Sequence, residues 1–317
     1  MHRWQKMTNE NTKHYQKRDD IQALRGIAIL YILVFHIDKR FCPNGFVGVD
    51  IFFVISGYLI TMILNRNNPL TLNDITGFFL RRIKRIFPAY YVTLVLILIC
   101  GCIWLTIFDL QGIFRSWYWA SVFATNIFKM IEEQDYFAQL QSFDFLLHLW
   151  SLAVEIQFYA LAPILMVFRQ RIGRIIFVPI ICLSLWSHIA NTGSKSFSFI
   201  LSRLWQFFIG NGIFTGLITI ISLWIISPLT LYIPIDEKLY RIIASIAAGW
   251  IIAGQSRWLT ESILCHRPLL IIGDISYSLY LCHWPCILFI KYERSHAELN
   301  LHAILSERKI GAKLDES

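Results

Sequence analysis

IQALRGIAILYILVFHI, residues 21–37, is an apolar segment of near-spanning length that carries one arginine and one histidine. At about 100° per residue, Arg25 and His36 return to within roughly 20° of the same helix face, on the order of 16 Å apart along the axis. An ionisable side chain near the centre of a bilayer costs about 2.5–3.5 kcal/mol on insertion scales, so two on one stripe need a reason. One reason is structural: an arginine snorkelling at the helix end and a histidine hydrogen-bonded inside a bundle. The other is a functional polar stripe, and the rest of the chain bears on the choice.

The chain has 317 residues, of which 56% are hydrophobic and only 16% charged, where a soluble domain carries about 25% charged residues. Mean hydropathy is +0.53, and several apolar runs approach or exceed the roughly 18 residues that span a bilayer. The expected fold is all-α, a polytopic transmembrane helical bundle of about nine to ten spans. The formal charge of +8 does not point to nucleic acid, because the basic residues fall between apolar runs, where the positive-inside rule accounts for them. Cys100, Cys102, Cys182, Cys282 and Cys286 lie in apolar segments and are expected to be buried hydrophobes. No cysteine or histidine spacing fits a zinc site, and no metal or cofactor is expected.

Residues 1–20 are polar and mixed in charge and read as a cytosolic tail; residues 21–290 form the membrane domain, and 291–317 a charged C-terminal tail. The second span is Phe46–Leu64, with Asp50 near its start and Ser56-Gly57 in its middle, where small residues let a neighbouring backbone approach. A polar segment then closes in Arg81, Arg82, Lys84 and Arg85 before Phe87-Pro88 and a third span. That basic block sets the topology, with the N-terminus in the cytosol. Residues 113–130, with Trp117, Tyr118, Trp119, Arg115, Asn126 and Lys129, suit an interfacial or re-entrant helix. Leu147–Phe168 is a further span, followed by Arg169, Arg171 and Arg174. Further on, a span at about Ile175–Ala190, a helical hairpin over Phe199–Ile233, a loop marked by Asp236, Glu237, Lys238 and Arg241, a short span Ile242–Gly254 and a last span Leu269–Ile290 are expected.

The intramembrane polar residues are thus Arg25, His36, Asp50, His148, Ser151, Glu155 and His283. They are too costly to face lipid and are expected to converge on a polar cavity. Histidine is the residue best suited to general-base work at neutral pH, and a carboxylate beside it can orient it and stabilise its cation. Such a base can take the proton from an alcohol attacking a thioester. Each residue also has a plainer reading: Glu155 as an ion-pair anchor, His148 as an interfacial helix start, Asp50 as a charge at a helix N-terminus. A metal site of His36, His148 and Glu155 lacks the tight spacing that would support it. Arg81 and Arg85 stand four residues apart and would project together as an anion clamp, or simply mark the cytosolic side.

Five segments together resemble the membrane acyltransferase-3 family, the O-acyltransferases of sugars and other hydroxyl acceptors. They are LRGIAILYILVFH (24–36), GFVGVDIFFVISGYLIT (45–61), FLRRIKRIFPAYY (79–91), HLWSLAVEIQFY (148–159) and GDISYSLYLCHWP (273–285), in the family's order. NGFVGVD and SRLWQFFIG are similar to the nematode-type members. The resemblance implies transfer of an acyl group, acetyl in the first instance, from an acyl-CoA donor to a hydroxyl-bearing acceptor such as a carbohydrate or lipid. It implies that Arg25 and His36 are the family's catalytic pair, with Arg81, Arg82 and Arg85 as its arginine motif and His148, Ser151 and Glu155 as a further motif. The SGNH-type domain that some members carry is not expected here, and after Ile290 the chain is expected to be truncated or altered. On this reading the catalytic residues are His36, Arg25 and Glu155. Arg81, Arg82, Arg85, Asp50, His148 and Ser151 bind substrate in a multi-pass protein of the endoplasmic reticulum or plasma membrane. The competing reading is a transporter, or a catalytically inactive membrane protein, with the same residues along a polar path.

Overall fold

The computed structural model describes residues 18–132, 143–209, 225–227, 230, 236–254, 264 and 266–315. Among them there is no strand. The α-helices are α1 (Asp19–Ile37), α2 (Val47–Leu64), α3 (Leu72–Trp104), α4 (Ile107–Ser121), α5 (Thr125–Ile131), α6 (Leu149–Ile172), α7 (Phe177–Ala190), α8 (Gly193–Ser198), α9 (Leu204–Ile209), α10 (Glu237–Gly254) and α11 (Arg267–Asp315). Four of them, α1, α2, α3 and α6, are long and apolar enough to cross a membrane. The expected nine to ten spans depend in part on the 199–233 hairpin, most of which lies outside the described residues, as do residues 1–17 of the polar tail.

The centre of the bundle is α2. Two-thirds of its apolar window (67%) is buried, against 28% for α3, so α2 is enclosed by protein while α3 runs along the rim. It packs against α1, α6, α9 and α10. Close approach explains its glycines: a Cβ at Gly48 would overlap the Ala28 carbonyl on α1, and one at Gly57 the backbone of Phe207 on α9. This is the small-residue packing expected between membrane helices, where apolar burial alone does not drive association. Helix α1 lies along α11, the most extensive helix pair in the structure.

Several segments differ from expectation. The arginine block does not precede the third span as a separate segment. A capping box between Thr71 and Asp74 starts one helix of 33 residues, roughly 50 Å long, which carries Arg81–Arg85 and Pro88 inside it. Residues 113–130 divide between α4 and α5, and Phe123 between them takes a left-handed φ of 54° while its ring stacks on Tyr90 at 4.4 Å. Helix α6 ends at Gly173, whose φ of 96° suits a residue without a Cβ. Arg241, expected in a loop, is buried on α10. Residues 291–315, expected as a charged tail, continue α11. The cysteines also differ. Cys42 is buried, but Cys102, Cys182, Cys282 and Cys286 are exposed on the outside of the bundle. There they meet lipid as well as Val92, Val95, Leu96 and Ile99 of α3 do.

The alternating helices give the bundle two ends. The start of α3 and the ends of α2 and α6 share one, where Arg169 donates to Asn65 at 3.1 Å and Gln170 to the Asn67 carbonyl at 3.0 Å. His36 and the start of α6 share the other, together with Lys291, which reaches the His36 carbonyl at 3.4 Å.

Candidate active site

The intramembrane polar residues do not converge on one cavity. They form three adjacent groups. The first lines a cavity bounded by α1, α2, α3, α6 and α11. Arg25, Arg82 and Arg85 face one carboxylate, Glu155, with Ser56, Ser151, Tyr159, Ser276, Tyr277 and Tyr280 also in the wall. Val49, Phe52, Phe53, Ile55, Leu59, Ile60 and Leu152 supply an apolar surface.

Polar atoms in this wall are unevenly satisfied. Glu155 Oε1 accepts hydrogen bonds from the Ser56 and Tyr159 hydroxyls. The Arg82 guanidinium lies over the rings of Phe78 (5.7 Å) and Tyr159 (5.4 Å), which fixes its plane. Tyr277 donates to the Ile86 carbonyl at 2.8 Å, tying α11 to α3 beside Arg85. Arg25 and Arg85 make no hydrogen bond to protein among the described residues, and the buried Ser276 hydroxyl has no partner there either. Three guanidinium groups against one carboxylate, beside an apolar wall, suit an amphipathic anion. Arg81 is exposed and does not line the cavity, so the clamp is Arg82 with Arg85, joined by Arg25 from α1.

The second group is a buried histidine cluster at the other end of α1. His36 Nδ1 is 3.0 Å from His283 Nε2, and the two rings stack at 5.1 Å between centroids. His283 Nδ1 is 2.7 Å from the Tyr280 carbonyl oxygen. His148 is next to them, its ring 5.6 Å from that of His283. The reason His148 sits there is legible in the chain. Pro285 has no N–H, so within α11 the Leu281 carbonyl lacks its helical donor, and His148 Nε2 lies 3.1 Å from that oxygen. Tyr280 joins this cluster to the cavity: its hydroxyl donates to the His148 carbonyl at 2.7 Å and lies 2.5 Å from Ser151 Oγ. Glu155 does not touch His36, contrary to the sequence expectation; its partners are the cavity hydroxyls.

The third group is closed to ligand. Asp50 is buried, and its Oδ1 accepts from Arg203 Nη1 at 2.6 Å and Gln206 Nε2 at 2.7 Å, with Arg241 Nε 3.4 Å from Oδ2. Arg203 is stacked among Phe53, Trp150 and Phe197, and Arg241 lies 4.0 Å from the Phe197 ring. Asp50 therefore joins α2 to α9 and α10 and does not line the cavity. Among the described residues no group of three or more metal-ligating side chains is placed to hold an ion.

The site residues that sequence reasoning passed over are Ser56, Ser276, Tyr277 and Tyr280. The last three lie within GDISYSLYLCHWP, where Tyr277 and Tyr280 share a helix face by their spacing of three, a signal that was available.

Residues 18–306 match the family described as an acyltransferase domain. O-acetyltransferase OatA of Staphylococcus aureus strains NCTC 8325 / PS 47, COL and MRSA252 is 32% identical over 336 residues, covering 93% of this chain and 55% of that protein. The chain thus spans about half the length of the curated relatives it matches. No solved structure matches.

Proposed function

The chain belongs to the membrane acyltransferase-3 family, and on that premise we propose that it is an integral-membrane O-acyltransferase. It moves an acyl group, acetyl in the first instance, from acyl-CoA to a hydroxyl acceptor such as a carbohydrate or a lipid. The observation that carries this reading is the cavity in which Arg25, Arg82 and Arg85 meet an apolar wall, with His36 beyond Tyr280. Arg82 and Arg85 hold the phosphates of the donor, and Arg25 orients the donor between them and the His36 end of the bundle. By the positive-inside rule the arginine-rich end of the bundle is cytosolic, together with the N-terminus, and the donor enters from that side. The membrane is the endoplasmic reticulum or the plasma membrane.

In the transfer step His36 takes the proton of the acceptor hydroxyl, and the hydroxyl oxygen forms a bond to the thioester carbon. The carbon–sulfur bond breaks, and the proton held by His36 passes to the leaving thiolate. Arg25 orients the donor so that its thioester reaches the His36 end of the bundle, a positioning contribution. Glu155, held by Ser56 and Tyr159, keeps the cavity from carrying three unbalanced cations.

Membranes bearing the protein, incubated with radiolabelled acetyl-CoA, are expected to transfer label to hydroxyl-bearing material. Label transfer is expected to fail in Arg25→Ala and His36→Ala variants expressed at the normal level. Wild-type transfer in both variants overturns the assignment, and solute flux in liposomes without label transfer would favour a transporter.

A further inference from the structure

We propose that His283 is a positioning residue that sets the tautomer of His36 and so makes Nε2 of His36 the basic nitrogen. A carbonyl oxygen can only accept a hydrogen bond. The 2.7 Å contact between His283 Nδ1 and the Tyr280 carbonyl therefore places a proton on His283 Nδ1. A neutral imidazole has one N–H, so His283 Nε2 carries a lone pair. That lone pair faces His36 Nδ1 at 3.0 Å, and the proton between the two rings belongs to His36 Nδ1. The remaining nitrogen of His36, Nε2, then holds a lone pair and has no hydrogen-bond partner among the described residues. If His283 were doubly protonated, His36 Nδ1 would accept instead and its Nε2 would carry the proton, which blocks base catalysis.

The turn that carries His283 is held from three sides. Trp284 Nε1 donates to the Asp144 carbonyl at 2.8 Å, Tyr280 donates to the His148 carbonyl at 2.7 Å, and His148 Nε2 reaches the Leu281 carbonyl at 3.1 Å. The same logic fixes His148. Its Nε2 bears the proton, and its Nδ1 is left buried without a partner among the described residues, so His148 serves the backbone of α11. The three rings thus have separate duties. His148 seals the turn, His283 sets the tautomer, and His36 presents the base. A carboxylate orients histidine in many hydrolytic sites; here a backbone carbonyl acts through a second imidazole.

The inference rests on His36 acting as the general base, and its test separates the two. The protein is labelled with ¹⁵N-histidine in nanodiscs, and the tautomers are read from two-bond nitrogen–proton couplings, with His36→Ala identifying the His36 signals. The expected spectrum shows His36 protonated at Nδ1 and bare at Nε2. In His283→Gln, whose side-chain oxygen can accept from His36 Nδ1, turnover is expected within a few-fold of wild type. In His283→Phe, kcat is expected to fall about 100-fold with little change in the KM for acetyl-CoA. A proton on His36 Nε2 in the wild-type spectrum overturns the tautomer assignment whatever the variants do. Wild-type kcat in a folded His283→Phe protein overturns the positioning role. Wild-type activity in His36→Ala overturns the base assignment itself and leaves the spectrum to decide the tautomer alone.

Discussion

The cavity and the Asp50 cluster are built from the same chemistry and put to opposite uses. In the cluster, one carboxylate is held by Arg203, Gln206 and Arg241, and aromatic rings cover the guanidinium faces. In the cavity, three guanidinium groups face one carboxylate whose Oε1 is already bonded to two hydroxyls, and Arg25 and Arg85 make no hydrogen bond to protein among the described residues. Both groups are arginines and carboxylates inside a membrane domain. What separates a brace from a binding site is the satisfaction of the charges, and residue type alone does not reveal it.

The comparison can be broken at either member. The largest effect is expected from Asp50→Ala, which leaves two arginines buried without their carboxylate. The loss should be about 3–5 kcal/mol, read as a collapse of the thermal transition in detergent. Arg25→Ala should leave that transition within a few degrees of wild type while lowering acyl transfer about 100-fold, the scale of misplacing a bound substrate. Wild-type transfer in Arg25→Ala, or a normal transition in Asp50→Ala, would dissolve the distinction. Smaller again is the clamp. Arg82→Ala with Arg85→Ala should raise the KM for acetyl-CoA about 10-fold and abolish stabilisation of the solubilised protein by coenzyme A. Arg81→Ala, four residues from Arg85 but exposed and outside the cavity, should do neither. The smallest effect belongs to Asp38→Asn. It breaks the exposed pair with Arg40 at 2.7 Å in the turn after α1, and its thermal transition should match wild type.

Much of this was legible in the chain. Apolar runs set the all-α class, and the cost of charge in lipid singled out Arg25, His36, Asp50, His148, Glu155 and His283 as residues that turn inward. Periodicity, however, tells which face of a helix a residue occupies and not which helix it meets. Arg25 and His36 share a stripe, yet one belongs to the cavity and the other to the histidine cluster, because α1 is long enough to serve both ends of the bundle. Glu155 and His148 divide in the same way along α6. The partners of Asp50 are Arg203 just before α9, Gln206 on α9 and Arg241 on α10, 153, 156 and 191 residues away in the chain, a distance over which sequence spacing carries no information. The exposed cysteines have a related cause: apolar character marks a residue as excluded from water, and in a membrane that is met by lipid as readily as by protein.

The proline in α11 has a consequence for how the protein is made. An unpaired carbonyl in hydrocarbon costs several kcal/mol, so α11 inserted by itself would carry a standing defect at Leu281. The remedy is the ring of His148, 133 residues earlier in the chain and therefore synthesised first. The last described helix is completed only when it docks on a helix already in the membrane. The same docking event brings His283 onto His36, so assembly of the bundle and arming of the base are one step.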